Sequence, residues 1–259
     1  MINIGARFDD RITGKIDEFS PKSTKVHIDI DPSSINKNVK VDLPIVGDVA
    51  EVINSTLKTI KKNKPTFIKS NKQNISKWWE KIQKWRSVNS LSYTGSLETI
   101  KPQYAVQRLY EMTKDKDTYI TTEVGQHQMW AAQHYKFDKP NRWMTSGGLG
   151  TMGYGLPAAI GVQVAHPKKL VIDIAGEASV LMTMQEMSTA VQYNLPIKIF
   201  ILNNEYMGMV RQWQELLHDK NYSESYTAAL PDFVKLAEAY GCVGIQATKP
   251  DELDEKIKE

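Results

Sequence analysis

The spacing of apolar residues changes several times along the first sixty positions. Residues 25–31 form a β-branched run that Pro32 ends, which is typical of a buried strand followed by a turn. A second short strand is predicted at residues 44–48, and residues 48–60 place their apolar side chains on one face of a helix. We therefore predict strands that alternate with helices, as in half of a doubly wound α/β domain.

The same alternation continues from residue 76. Trp78, Ile82 and Trp85 fall on one stripe of a predicted helix, where tryptophans usually serve packing. Strands and helices then follow one another regularly, which favours a parallel sheet covered on both faces. The predicted helices are 103–112, 156–164 and 180–193, and the predicted strands are 119–123, 170–175 and 197–202.

A lysine-rich segment with few apolar residues separates these two parts. We predict that residues 1–62 are the C-terminal half of one domain, 63–77 a linker, and 78–259 a second domain that is truncated at its end. A binding site for an acidic partner is the alternative for the lysine-rich segment. The opening strand has no preceding neighbours and the helical stretch from Pro250 leads to no strand, so we expect a fragment of a longer protein.

Composition and charge exclude several classes of protein. The 259 residues carry 33 basic and 30 acidic side chains, so no strong positive field suggests a nucleic-acid partner. The 41% hydrophobic content suffices for real cores, and no apolar run reaches the roughly 18 residues of a membrane span. The single cysteine, Cys242, is expected to be a buried structural thiol. We predict a soluble, cytoplasmic protein that binds neither nucleic acid nor membranes.

Two predicted strands are followed at once by oxygen-bearing side chains. Residues 176–179 (Gly-Glu-Ala-Ser) follow one strand, and Asn203 and Asn204 follow the next. Glu177 and Asn204 are 27 residues apart, so on neighbouring strands their oxygens would emerge together at the carboxyl edge, where Mg²⁺ and phosphates bind. The helix predicted to begin near Ser179 offers N–H groups to a diphosphate. A metal–diphosphate site is favoured, with a chance pair of turns as the alternative.

Longer motifs carry a resemblance to a known family. The segment from Gly176 to Asn204 is similar to the thiamine diphosphate motif, which begins Gly-Asp-Gly and ends Asn-Asn, although Glu177 replaces the aspartate. Four further segments resemble the catalytic subunits of acetolactate synthases. One of them, 5–11 (Gly-Ala-Arg-Phe-Asp-Asp-Arg), is similar to the flavin-binding middle domain of that family. The other segments are 123–130 (Glu-Val-Gly-Gln-His-Gln-Met-Trp), 146–155 and 203–213.

The resemblance implies a fold and an activity. The fold class would be α/β, with part of a doubly wound FAD-binding middle domain followed by a parallel-sheet thiamine diphosphate-binding domain. With thiamine diphosphate, Mg²⁺ and FAD, the enzyme would decarboxylate pyruvate and transfer the two-carbon unit to pyruvate or 2-oxobutyrate. This reaction is the first common step of branched-chain amino-acid biosynthesis. The expected assembly is a homodimer of catalytic subunits with a regulatory small subunit.

The family's catalytic glutamate would lie in an N-terminal domain outside this sequence, so we expect no catalytic residue here and no activity of the fragment alone. Carried over residue by residue, the resemblance assigns four sets of binding residues. Thiamine diphosphate would be bound by Val124, Gly125, Gln126, His127, Gly150, Met152, Gly176, Ala178 and Ser179, with Met152 as a wedge beneath its two rings. Mg²⁺ would be bound by Glu177, Asn204 and the Tyr206 carbonyl. FAD would be bound by Arg7, Asp9, Asp10, Arg11, Asp29, Asp48, Val49, Gln128 and Met129, and the substrate by Met209, Val210 and Trp213.

Other interpretations of these residues stay open. His127, two residues after Gly125, also fits a residue that caps a turn. Trp213 also fits a core position. Residues 9–11 also fit a surface ion-pair cluster, which would contribute little to stability. Three methionines are expected to fill the core rather than to bind a ligand. They are Met182, Met184 and Met187.

Two other functions also compete. Another thiamine diphosphate enzyme, such as a pyruvate oxidase, a glyoxylate carboligase or a 2-oxo acid decarboxylase, would share the metal motif. Such an enzyme is not expected to carry Met209-Val210 followed by Gln212-Trp213. A non-catalytic nucleotide-binding module that kept the fold and lost the chemistry is the alternative from a different class.

Overall fold

The computed structural model describes residues 1–63 and 71–259, which form two compact units, Met1–Asn89 and Ser90–Glu259. Residues 64–70 of the predicted linker lie outside the described residues, and most of its remaining part belongs to a helix that begins at Lys72. The predicted domain boundaries at 62 and 78 stay a prediction.

The first unit contains a sheet of three parallel strands in the order β1-β2-β3. Its central strand is the most buried, since both His27 and Ile28 are buried. The His27 ring also packs edge to face against the ring of Phe8. The alternation predicted for the first sixty residues is therefore confirmed. The strands are β1 (Ile2–Ile4), β2 (Val26–Asp29) and β3 (Leu43–Val46), and the helices are α1 (Asp10–Thr13), α2 (Val49–Asn63) and the 3-10 turns Ile16–Glu18 and Pro32–Ser34.

The tryptophan stripe lies on helix α3 (Lys72–Arg86). Trp78 and Trp85 stack edge to face with their ring centres 5.6 Å apart, yet both side chains are more than half exposed. The two rings pack on each other, as a packing role would have them, but no other described element covers them. A stripe of apolar side chains predicts a helix, but it does not specify whether another element covers the stripe.

The second unit contains a parallel sheet of four strands in the order β5-β4-β6-β7, which confirms the predicted fold class. Three of the strands agree with the predicted segments to within one residue at each end. The fourth, β5, was not predicted, because three residues are too few to show a period. The strands are β4 (Thr118–Thr122), β5 (Trp143–Thr145), β6 (Leu170–Gly176) and β7 (Lys198–Leu202).

Helices cover both faces of this sheet, as predicted. On one face, α4 (Pro102–Thr113) and α5 (Gln126–His134) pack against β4 and β6 through a buried apolar cluster. On the other face, α6 (Gly155–Ala165) packs against the same two strands. The central strands are thus buried on both sides, which explains why their sequences are apolar or β-branched except at Asp173 and Gly176. The first cluster consists of Val106, Leu109, Ile120, Ala131, Tyr135, Ile172 and Ile174.

The single helix predicted at 180–193 is wrong. The chain there forms α7 (Glu177–Val180), a 3-10 turn (Met184–Glu186) and α8 (Met187–Gln192). The break occurs at Thr183, whose backbone leaves the helical conformation (φ −135°, ψ 22°). The Thr183 hydroxyl donates a hydrogen bond to the Gly153 carbonyl at 3.2 Å. A tertiary hydrogen bond therefore overrides the local preference for a helix.

The methionines and the cysteine only partly match their predicted burial. Met187 is buried as expected, whereas Met182 is 54% exposed, so its core assignment is wrong, and Met184 is half-buried. Cys242 is half-buried rather than buried, and burial raises the pKa of its thiol.

The last part of the chain contains three helices. They are α9 (Gly208–Leu217), α10 (Phe233–Ala239) and α11 (Leu253–Lys258). A bidentate ion pair attaches α11 to α4, since both guanidinium contacts of Arg108 to the Asp254 carboxylate are shorter than 3 Å (2.8 and 2.7 Å). Among residues 1–63 and 71–259, no helix is long and apolar enough to cross a membrane.

Candidate functional site

The ends of three neighbouring strands define the candidate site in the second unit. The pairing register places Thr122 of β4 opposite Ile174 of β6, and Gly176 of β6 opposite Leu202 of β7. The residues that follow these strands therefore emerge at one edge of the sheet. This is the carboxyl edge, where ligands of open parallel sheets bind. The predicted adjacency of the segments after β6 and β7 is confirmed.

Glu177, the first residue after β6, has a buried carboxylate. Its side chain is 1% exposed, and Oε1 has no hydrogen-bond partner within the part of the chain that the structure describes. Burial raises the pKa of this carboxyl group, while backbone N–H groups that include those of Asn204 and Tyr206 act in the opposite direction. An unpaired buried carboxylate oxygen is costly, which favours a cation at this position.

Asn204 supplies a second oxygen next to Glu177. Its side-chain Oδ1 accepts a hydrogen bond from the Tyr206 N–H at 3.2 Å, which turns the chain sharply after β7. No three His, Cys, Asp or Glu side chains converge as a metal cluster among the described residues. One carboxylate with neutral amide and carbonyl oxygens fits Mg²⁺, because Mg²⁺ retains several waters or phosphate oxygens. These residues therefore fit the predicted metal.

His127 lies between two glycines of the site. A Cβ atom on Gly125 would lie 2.7 Å from the imidazole Cε1, and one on Gly176 would lie 2.7 Å from Nδ1, so both positions require glycine. Burial lowers the pKa of His127 to about 4, although the ring also donates to the Glu123 carbonyl. Nε2 is buried, without a hydrogen-bond partner in residues 1–63 and 71–259. The imidazole is thus neutral at pH 7. One ring nitrogen is hydrogen-bonded to the Glu123 carbonyl, and Nε2 is available to a ligand.

The segment after β6 is arranged more tightly than predicted. The helix there begins at Glu177 rather than near Ser179, and it has only four residues. The Ser179 hydroxyl donates to the Gly176 carbonyl at 3.0 Å and accepts from the Gly176 N–H at 3.2 Å. Ser179 therefore closes the turn that presents Glu177, and Ala178 beside it is half-buried.

The glycine-rich turn at 146–155 approaches the same edge. Gly150 adopts a positive φ of 74°, and Met152 is half-buried. The turn is attached to the sheet by Glu123, whose carboxylate accepts hydrogen bonds from the backbone N–H groups of Gly153 (2.6 Å) and Leu156 (3.1 Å). Glu123 was not among the predicted site residues. Its place directly before the Val-Gly-Gln-His segment was the only signal in the sequence.

Helix α9 follows the Asn204 turn, as the sequence predicted. A cleft of about 590 Å³ is lined by Gln126, Asn204, Tyr206 and one face of this helix. The predicted substrate residues lie on another part of the helix and do not line the cleft. Trp213 is 40% exposed, so the alternative that it is a core residue is wrong. Of the other two predicted substrate residues, Met209 is half-buried and Val210 is 44% exposed. The helix face that lines the cleft consists of Gly208, Arg211, Gln212, Glu215 and Leu216.

The predicted FAD residues lie mostly in the first unit, where their carboxylates have structural partners. Asp9 accepts from the Arg11 N–H at 3.1 Å, and Asp48 accepts from the N–H groups of residues 50 and 51, so each carboxylate caps a helix. Asp29 ends β2 as predicted and accepts from the Asp31 N–H at 2.9 Å. Arg7 pairs with Asp9 at 3.8 Å on the surface, which resembles the alternative of an ion-pair cluster. The role of these residues in FAD binding stays a prediction. The remaining members are Asp10 and Val49 in the first unit, and Gln128 and Met129 in the second.

Comparison with known families identifies the class of protein. Residues 123–259 match the family "Thiamine pyrophosphate enzyme, C-terminal TPP binding domain", and residues 1–56 match "Thiamine pyrophosphate enzyme, central domain". The chain belongs to the thiamine pyrophosphate (thiamine diphosphate) enzyme family. This confirms the predicted cofactor thiamine diphosphate, and the predicted Mg²⁺ and FAD are typical of the family.

The relatives within this family confirm the resemblance seen in the sequence. The chain is 48% identical to "Acetolactate synthase isozyme 3 large subunit" of Escherichia coli (strain K12) over 259 residues, which are 99% of this chain and 44% of the relative. It is 45% identical to "Acetolactate synthase large subunit" of Haemophilus influenzae over 100% of this chain and 44% of the relative. The Porphyra purpurea large subunit is 46% identical over 100% and 43%. The chain thus spans less than half the length of these relatives.

Proposed function

We propose that this chain forms the thiamine diphosphate-binding domain, and part of the FAD-binding domain, of an acetolactate synthase catalytic subunit. The observation that carries the proposal is the buried Glu177 carboxylate, whose unpaired Oε1 lies at the sheet edge beside the Asn204 turn. Membership in the thiamine pyrophosphate enzyme family supports the cofactor. Identities of 45–48% to acetolactate synthases support this activity over that of a pyruvate oxidase or a decarboxylase.

In this proposal the residues of the site have separate tasks. Glu177, Asn204 and the Tyr206 carbonyl bind Mg²⁺, and Mg²⁺ binds the diphosphate. When bound, thiamine diphosphate supplies the electron sink for decarboxylation of a 2-oxo acid. His127 stays neutral, and its Nε2 can form a hydrogen bond with the cofactor without adding charge to the site. Met152 orients the cofactor rings from the glycine-rich turn.

The remaining cofactor residues line the diphosphate through backbone groups and small side chains. They are proposed to be Val124, Gly125, Gln126, Gly150, Gly176, Ala178 and Ser179. The absence of a Cβ at Gly125 and Gly176 lets the His127 ring lie against the backbone of both segments, which brings these three residues together.

Substrates and partners follow from the same proposal. Pyruvate would supply the two-carbon unit, and pyruvate or 2-oxobutyrate would accept it near Met209, Val210 and Trp213. The words "large subunit" in the relatives' names support a smaller, regulatory partner, and we propose a homodimer of catalytic subunits in the cytoplasm. The product would enter branched-chain amino-acid biosynthesis.

The test uses the full-length enzyme, by which we mean a polypeptide of the relatives' length with this sequence at the matching positions. Glu177→Gln should raise the half-saturating concentrations of Mg²⁺ and thiamine diphosphate together, because the metal connects the protein to the diphosphate. Glu238→Gln is the matched control, since it makes the same substitution at an exposed acid on α10. Unchanged half-saturation for both ligands in Glu177→Gln would remove Glu177 from the site.

A product analysis separates the proposal from its rivals. Full-length enzyme supplied with pyruvate, thiamine diphosphate, Mg²⁺ and FAD should form acetolactate. Peroxide would indicate an oxidase, and free aldehyde would indicate a decarboxylase. Binding of the cofactor without any product would favour the non-catalytic module.

A further inference from the structure

Glu123 is a buried acid to which the proposed function assigns no task. It follows β4, its side chain is 0% exposed, and its two carboxylate oxygens accept from the N–H groups of Gly153 and Leu156. Burial raises the pKa of this carboxyl group, while the N–H groups of Leu156, Gly153, Gly155 and Tyr154 act in the opposite direction. Four successive N–H groups at the start of α6 therefore face one carboxylate. Such groups have no partner within a helix, and a carboxylate is a favourable cap for them.

The turn lies so close to the sheet that it cannot shift without breaking these contacts. A Cβ on Gly155 would lie 2.2 Å from Asp173 Oδ1 and 2.7 Å from the Glu123 backbone nitrogen. On its other side, Gly153 accepts the hydroxyl hydrogen bond from Thr183. Glu123 thus fixes the position of the turn relative to β4 and β6.

Asp173 shows that Glu123 is distinguished by its partners rather than by its burial. Asp173 is also fully buried, and its Oδ1 accepts from the Thr121 hydroxyl at 3.0 Å rather than from the turn. Burial and the nearby Glu123 raise the pKa of Asp173 well above its usual value. The backbone donors of the turn are therefore left to Glu123, while Asp173 accepts from a side chain.

Glu123 connects two segments that the proposed function assigns to one cofactor. Val124–His127 follows it directly in the chain, and Met152 directly precedes Gly153, which Glu123 binds. A single carboxylate thereby sets the distance between the diphosphate segment and the proposed wedge.

We propose that Glu123 is a positioning residue, which holds Met152 in place beneath the thiamine diphosphate rings by attaching the turn at 152–156 to the end of β4. This inference rests on the proposed function, since only there do Met152 and Val124–His127 act on a cofactor. Glu123 itself acts through the turn. Loss of this attachment should spare the metal contacts, which come from β6 and β7, and should disturb the fold of the bound cofactor.

The experiment compares binding with ring orientation in the full-length enzyme. Glu123→Gln keeps the size of the side chain but turns an N–H₂ group toward backbone donors, so at least one hydrogen bond is lost. Tryptophan fluorescence titration gives the Kd for thiamine diphosphate with Mg²⁺. Hydrogen–deuterium exchange at the thiazolium C2 of the bound cofactor, followed by NMR after acid quench, reports on ring orientation.

We expect the exchange rate in Glu123→Gln to fall about tenfold or more, equivalent to about 1.4 kcal/mol, while Kd changes less than about threefold. Glu123→Asp, which keeps the carboxylate, should recover part of the rate. Asp173→Asn, which alters an equally buried acid without touching the N–H groups of the turn, should behave like wild type. In Met152→Ala, adding Glu123→Gln should lower the rate no further, because the two residues act in series.

Three results would overturn the inference. They are an unchanged exchange rate in Glu123→Gln, an equal fall in Asp173→Asn, and a full additional loss in the double variant. If Glu123→Gln does not fold, Glu123→Asp gives the same decision, since a wild-type rate with its shorter carboxylate would also contradict the inference. A wild-type enzyme that binds no thiamine diphosphate would instead overturn the proposed function, and the role of Glu123 with it.

Discussion

Acidification should destabilise the second unit through one imidazole, that of His127. The ring is 7% exposed and lies between Gly125 and Gly176, so it cannot reach water when it takes up a proton. Burial lowers its pKa to about 4, from the usual value near 6.5 that the unfolded chain retains. Between these two values the unfolded state binds more protons than the folded state. Stability therefore rises with pH from about 4 to about 6.5 and is lost as the pH falls through this window.

The size of the effect follows from the shift. A difference of about 2.5 pKa values corresponds to about 3 kcal/mol once the pH is below both. At pH 5, where the unfolded imidazole is almost fully charged and the folded one is mostly neutral, about 2 kcal/mol should already be lost relative to pH 7.5. Burial raises the pKa of three carboxyl groups, Glu123, Asp173 and Glu177, which act in the opposite direction on acidification, so the contribution of His127 is measured against a variant that lacks the imidazole.

Urea unfolding of the chain at pH 7.5 and pH 5 measures this loss, with His127→Gln as the comparison. Glutamine can still donate to the Glu123 carbonyl but does not titrate in this range. The variant should lose about 2 kcal/mol less than wild type over the interval. NMR titration of the His127 ring protons should give a midpoint near 4. A parallel loss in both proteins, or a midpoint near 6.5, would refute the reasoning.

Four further predictions follow from other contacts. Trp213→Leu in the full-length enzyme should lower the ratio of acetohydroxybutyrate to acetolactate in competition assays by about tenfold or more, because one methylene is worth about 1–3 kcal/mol in an apolar pocket. An unchanged ratio would exclude Trp213 from the acceptor site. Gly155→Ala should cost about 1–3 kcal/mol in thermal unfolding through overpacking, whereas Gly161→Ala on the open side of the same helix should stabilise by up to about 1 kcal/mol. Asp117 has a pKa lowered to about 2 by its contacts with Lys169 and Arg142. Its contribution is present above pH 3.8 and is lost toward pH 2, so Asp117→Asn should flatten the acid limb of the stability curve. The 259-residue chain alone should form no acetolactate when supplied with all three cofactors, and product formation by it would contradict the expected need for a glutamate from elsewhere.

Periodicity predicted the regular elements well because the sheet of the second unit is buried on both faces. Apart from Asp173, Gly176 and Lys198, the residues of strands β4, β6 and β7 are apolar or β-branched, and such runs are visible in a single sequence. The adjacency of β6 and β7 could be predicted from the crossover rule, and it placed Glu177 beside the Asn204 turn.

Features that depend on distant contacts could not be predicted. The helix break at Thr183 depends on the Gly153 carbonyl, thirty positions earlier in the chain. The exposure of Trp78 and Trp85 depends on what covers α3, which an apolar stripe does not specify. The task of Glu123 depends on a turn thirty residues later, and its place before the Val-Gly-Gln-His segment does not show which groups it binds.

The site at the ends of β4, β6 and β7 draws on chain segments from residue 123 to residue 206, so no shorter piece can assemble it. Binding of cofactor and metal is therefore linked to the folding of the whole sheet. A ligand that binds only the folded state adds about 2.7 kcal/mol of stability at a concentration one hundred times its Kd. Substitutions far from the site that destabilise the sheet should then lower the apparent affinity for the cofactor. Excess thiamine diphosphate with Mg²⁺ should restore the folded state of such variants. The cofactor would thus stabilise the folded state of this unit in addition to its role in the reaction.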